Sequence, residues 1–79
     1  MAYFDKYGVE FSDDRKTLIR CPKDFNGEYI IPNSVTMIAE EAFQECSSLS
    51  SIIISSSISV IEKRAFILCI SLSYITTIH

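Results

Sequence analysis

The stretch that decides the fold is IIPNSVTMIAEEAFQECSSLSSI (residues 30–52), because it recurs at once as IISSSISVIEKRAFILCISLSYI (residues 53–75). Laid over each other without a gap, the two copies are identical at 11 of 23 positions. The identical pairs include Ile31/Ile54, Ser34/Ser57, Ile38/Ile61, Ala42/Ala65, Phe43/Phe66, Cys46/Cys69, Leu49/Leu72 and Ile52/Ile75, and Val35/Ile58, Thr36/Ser59 and Met37/Val60 are conservative. A period of about 20–29 residues is the signature of a stacked repeat with a strand and a short helix in each coil. One coil cannot bury its own apolar face, so neighbours must stack, and the period predicts an α/β solenoid. Solenoids build surfaces more readily than catalytic pockets.

Within each copy the pattern divides into three parts. Residues 28–32 and 51–55 are rich in β-branched side chains and read as strands. Residues 35–38 and 58–61 read as short extended pieces. Residues 39–46 and 62–69 carry Ala, Phe and Cys at i, i+1 and i+4, one face of a two-turn helix. Residues 1–28 lack the repeat. There Val9-Glu10-Phe11 and Thr17-Leu18-Ile19-Arg20-Cys21 flank a turn-rich Ser12-Asp13-Asp14-Arg15-Lys16, which predicts a β-hairpin. Pro22 ends the second strand, and Asn26-Gly27 favours a sharp reversal. The expected organisation is a hairpin cap over 1–28 followed by two repeats over 29–79.

The run carried by Ile31, Pro32, Ser34, Val35, Thr36, Ile38, Ala42, Phe43, Cys46, Leu49 and Ile52, and kept in large part by the second copy, resembles the leucine-rich repeat of the bacterial surface antigen A type (BspA-like). The segment from Gly8 to Pro22 is similar to the hairpin that opens many such arrays. The resemblance implies a short right-handed leucine-rich-repeat solenoid with an N-terminal β-hairpin cap. It also implies a surface or secreted protein active in adhesion and protein binding. The chain departs from the pattern at Ala39 and Glu62, where glycine is common, and at Ser55, which replaces the proline of the first copy. Ile67, Leu68 and Ile70 in the second copy stand where the first has Gln44, Glu45 and Ser47, which suggests a covered surface.

Strand alternation sends Tyr29, Ile31, Ile52, Ile54, Ile75 and Thr77 inward. It leaves Glu28, Ile30, Pro32, Ser51, Ile53, Ser55, Tyr74, Thr76 and Ile78 outward. Ile30, Ile53, Tyr74, Thr76 and Ile78 are therefore the candidate protein-binding residues, with single surface isoleucines as the plain alternative. The last coil is free of charged side chains from Ala65 to Ile78, and its strand presents an open edge, a surface that recruits other strands. Two expectations stand side by side: a homodimer through this edge, or a piece of a longer array.

Net charge is −3, with most acids before residue 46, and no basic patch exists to follow a phosphate backbone, so nucleic acid is not an expected partner. No run of about 20 apolar residues is present, which argues against membrane insertion. The opening Met1-Ala2-Tyr3-Phe4-Asp5-Lys6 lacks the features of a signal peptide. Cys46 and Cys69 occupy equal places in successive copies and read as small buried side chains; a disulfide between them would need particular Cβ directions. Cys21 has no counterpart and is expected to be partly exposed. The single histidine is His79, no zinc-ligand spacing occurs, and Asp13-Asp14 reads as a solvated turn. No catalytic residue, metal or cofactor is expected.

Overall fold

The structure is a computed structural model that describes residues 2–78. Among the described residues eight strands form: β1 (Tyr3–Phe4), β2 (Glu10–Phe11), β3 (Thr17–Arg20), β4 (Gly27–Ile30), β5 (Met37–Ile38), β6 (Leu49–Ser55), β7 (Val60–Ile61) and β8 (Tyr74–Ile78). They make two sheets, a five-stranded one in the order β1-β2-β3-β5-β7 and a three-stranded one in the order β4-β6-β8. The first two pairs, β1–β2 and β2–β3, are antiparallel; every other pair is parallel. Each sheet thus advances by one strand per repeat. The chain makes three rungs, β3 with β4, β5 with β6, and β7 with β8.

The expected hairpin pairs Glu10 with Arg20 and Phe11 with Leu18, and the mismatch is taken up by a bulge. Its loop is held by Asp14, whose carboxylate accepts from the Ser12 hydroxyl (2.7 Å) and the Lys16 N–H (3.0 Å). Those donors hold the Asp14 carboxyl below its ordinary range. Beyond the hairpin, β3 also opens the parallel row by pairing Thr17 with Met37 and Leu18 with Ile38. The second strand of the hairpin is therefore also part of the first rung.

The two predicted helices do not form: among the described residues there is none. Residues 39–46 and 62–69 are successive turns, with bonds such as Ala42 N–H to Ala39 O (3.2 Å) and Ile67 N–H to Arg64 O (3.2 Å). Glu41 and Arg64 lie in the left-handed region at φ 60° and 58°, and so do Glu45 and Leu68 at 59° and 62°. The strained positions repeat with the period. A left-handed non-glycine residue costs about 1–2 kcal/mol and breaks any helix there. What offsets the cost is a different use of the backbone. Phe43 N–H reaches the Ala65 carbonyl of the next rung (2.7 Å), Glu45 N–H reaches that of Ile67 (2.9 Å), and Cys21 N–H reaches Ala42 (2.7 Å). Donors that a helix would spend on itself instead tie rungs together.

The repeated polar positions do the same through their side chains. Ser34 donates to the Arg15 carbonyl (3.1 Å) and Ser57 to that of Val35 (2.9 Å). Thr36 donates to the Lys16 carbonyl (3.3 Å) and Ser59 to that of Thr36 (3.2 Å). The thiols follow suit: Cys46 donates to Pro22 O (3.5 Å) and Cys69 to Phe43 O (2.9 Å). Each group bonds to the rung before it, which explains why hydroxyl and thiol types recur.

The core lies between the sheets and contains Val9, Phe11, Leu18, Tyr29, Ile31, Ile38, Phe43, Leu49 and Ile52. The inward residues of the predicted turns of helix, Ala42, Phe43 and Cys46, are fully buried although the helix is absent. An aromatic column runs through the core: Phe25 meets Tyr29 edge-on at 5.4 Å, and Phe43 stacks on Phe66 at 5.1 Å. Cys21, expected to be partly exposed, is buried as well.

Candidate functional site

The outer row of the three-stranded sheet is set by register. Ile30 pairs with Ile53 and Ile53 with Thr76, so three of the candidate residues form one line across β4, β6 and β8. Ile78 lies two residues along β8, opposite Ser55. Ile30 is 59% exposed, and Thr76 and Ile78 are exposed, but Ile53 on the central strand is partly covered. The backbone of Tyr74 pairs with Ser51, and its side chain lies outside the described residues.

Two departures from simple alternation follow from the position of β6. Ser51 and Ser55, expected outward and open, are buried, because a short side chain between two flanking strands is screened by its neighbours. Ser51 donates to the Glu28 carboxylate at 2.9 Å, and the Ser55 and Ser57 hydroxyls bond to each other. Conversely Ile75 and Thr77, expected inward, are exposed.

That second departure belongs to a wider contrast between rungs. Ile38 is 0% exposed and its repeat partner Ile61 48%; Ile52 is 0% and its partner Ile75 46%. The residues are identical, so the difference comes from what lies beside them. Rung two is covered by rung three, and no described rung covers rung three. Ile67, Leu68 and Ile70, the apolar replacements in the second copy, are exposed within this chain, Ile70 to 80%. The N–H groups of Phe66 and Leu68, equivalent to those of Phe43 and Glu45, meet no carbonyl among the described residues.

At the opposite end a loop lies over the core. Asp5 accepts from the N–H groups of Tyr7 (2.9 Å) and Val9 (3.0 Å) and from the Tyr29 hydroxyl (2.7 Å), which fixes the 5–8 loop over the core. Burial, with the Asp5 carboxylate beside it, pushes the Tyr29 phenol well up. Beside β4 lies a depression of about 360 Å³ lined by Tyr7, Phe25, Asn26, Glu28, Tyr29 and Ile30. A smaller one of about 170 Å³ is lined by Tyr3, Asp5, Phe11, Arg15, Pro32 and Ser34.

All three cysteines are free. Hydrogen bonding to the Cys46 sulfur, together with burial, pushes the Cys21 thiol up. The same bond, aided by Lys23 and Arg20, draws Cys46 down against its own burial. Burial pushes Cys69 up. The described residues hold no group of three or more His, Cys, Asp or Glu placed to bind a metal, and no helix long and apolar enough to cross a membrane.

No curated protein and no solved structure matches the chain significantly. A family model does, over residues 24–79, and its description is "BspA type Leucine rich repeat region (6 copies)". That span takes in β4 to β8, the hydroxyl and thiol rows and most of the core described above. The chain belongs to the BspA-type leucine-rich repeat family.

Proposed function

We propose that this chain is a non-catalytic protein-binding module, a short right-handed solenoid of adhesion type that works at a cell surface. Its contact face is the outer side of β4-β6-β8, and its C-terminal coil is a second, associating surface. The observation that supports the face is the row Ile30–Ile53–Thr76, in register across three strands and open at Ile30. Main-chain register fixes the spacing of such a row, so a partner can read it side chain by side chain. Leucine-rich repeat regions are interaction modules, and this chain carries the repeat through most of its length.

The test is binding to a panel of immobilised extracellular-matrix proteins, wild type against Ile30→Lys. The half-open position of Ile30 lets the variant fold. The expected result is retention of wild type on at least one panel member and loss of it for Ile30→Lys, with unchanged circular dichroism. Equal retention of both proteins removes this face from the proposal. A second reading has support of its own: the family description speaks of six copies, whereas three rungs are seen here. On that reading the chain is a structural capping part of a longer array with no partner of its own, and a parent reading frame that continues the period past residue 79 would favour it.

A further inference from the structure

The two ends of the stack differ in outline. At the N-terminal end the five-stranded sheet runs two strands, β1 and β2, beyond β3, while the three-stranded sheet stops at β4, level with β3. The overhang is about 9–10 Å at the usual strand spacing. At the C-terminal end both sheets stop together, at β7 and β8, which belong to the same rung. Among the described residues that end is flush, and each sheet presents an unpaired strand edge there. It exposes Ile61 and Ile75, whose partners one rung earlier are fully buried. It carries no charged side chain from Ala65 to Ile78, and the nearby Arg64 is engaged by Glu41 at 3.6 Å and Glu40 at 4.0 Å.

We propose that this end is covered by the same end of a second copy of the chain, about a two-fold axis, with β8 antiparallel to β8 and β7 antiparallel to β7. The inference rests on the associating role given above to the C-terminal coil and names its partner. A rotation about an axis running from one sheet to the other keeps each sheet on its own side and reverses its strands. Both edges then close at once, giving one continuous sheet of six strands and one of ten. Antiparallel pairing supplies both a donor and an acceptor from each edge. Apart from the exposed Glu62 and Lys63 beside β7, which are opposite in sign, the face is apolar and carries no net charge to repel its own copy, and an isologous contact closes at two. Head-to-tail stacking cannot achieve this. Where β7 abuts β1 of the next copy, β8 remains two strands short of β4.

Solution mass across a concentration series, by chromatography with light scattering, tests the proposal on the 79-residue chain. The expected result is a species of twice the chain mass whose population depends on concentration and little on salt. Ile75→Lys places two like charges across the two-fold axis and weakens the dimer at least about tenfold. Ile30→Lys, at the other edge of the same sheet, leaves the dimer intact. A monomer at every concentration overturns the proposal, and so does a ladder of trimers and larger species, which is head-to-tail growth. A dimer indifferent to Ile75→Lys overturns it too. If that variant loses its circular dichroism, amide hydrogen exchange of the wild type decides. Protection of β8 and of the Phe66–Leu68 turn must rise with concentration, and constant exchange overturns the contact. Loss of matrix-protein binding in Ile30→Lys with an intact dimer, or the reverse pattern in Ile75→Lys, tells failure of one surface from failure of the other.

Discussion

Tyr29 shows how one residue serves both packing and closure. Its ring joins the aromatic column, and its hydroxyl donates to Asp5 at 2.7 Å, across 24 residues of chain. Hydrogen bonds to charged groups contribute about 1.5–3 kcal/mol. Tyr29→Phe should lower the unfolding free energy by about that amount, as read by urea denaturation. The phenol also makes stability depend on pH. In the unfolded chain a tyrosine ionises near pH 10. In the folded chain burial and then Asp5 hold the proton on to higher pH. The contribution is therefore complete below about pH 10 and is lost as the pH rises from there through the folded value. The alkaline fall in stability should be shallower in Tyr29→Phe than in wild type; identical curves would remove Tyr29 as its source.

At the scale of the element, the turn tracts separate two rules that coincide in the sequence. Ala42, Phe43 and Cys46 at i, i+1 and i+4 satisfy a helical face, and they also satisfy a run of turns that buries the same three side chains. The burial was legible and the backbone was not. The deciding residues, Glu41, Glu45, Arg64 and Leu68, adopt left-handed φ without being glycine or asparagine and so give no compositional signal. Glu45→Gly and Glu45→Ala both remove the exposed ion pair with Lys23, so their difference isolates the backbone. In a left-handed turn the glycine variant should be the more stable by about 1 kcal/mol. In a helix the order would reverse by a similar amount. The first rung was hidden for another reason. Thr36 reaches Lys16 across 20 residues, whereas Ser59 reaches Thr36 across 23, so a gapless comparison at the longer period misses β3.

At the scale of the molecule, identical residues have unequal worth. Ile38 and Ile61 match in the repeat, yet one is sealed between rungs and the other stands open. Ile38→Ala should cost about 2–5 kcal/mol, as for other buried isoleucines, and Ile61→Ala under about 1 kcal/mol in dilute solution. Similar losses at both sites would mean that rung three is covered even in the monomer. The candidate row was legible to the extent that period fixes register: Ile30, Ile53 and Thr76 align as the offset requires. Partial cover of Ile53 and burial of Ser51 and Ser55 were not, because they depend on the width of the flanking side chains. Nor was the contrast between ends, since a repeat describes what rungs share and not which neighbours they lack.

The hydroxyl and thiol rows give the stack a direction in time. Ser34, Thr36, Cys46, Ser57, Ser59 and Cys69 all donate to carbonyls that precede them in the chain, by 19 to 26 residues. A nascent polypeptide emerges in the same order. Each newly made rung therefore meets its acceptors already in place and never waits for sequence not yet translated to satisfy these side chains. The growing end, by contrast, stays open until synthesis supplies the next layer.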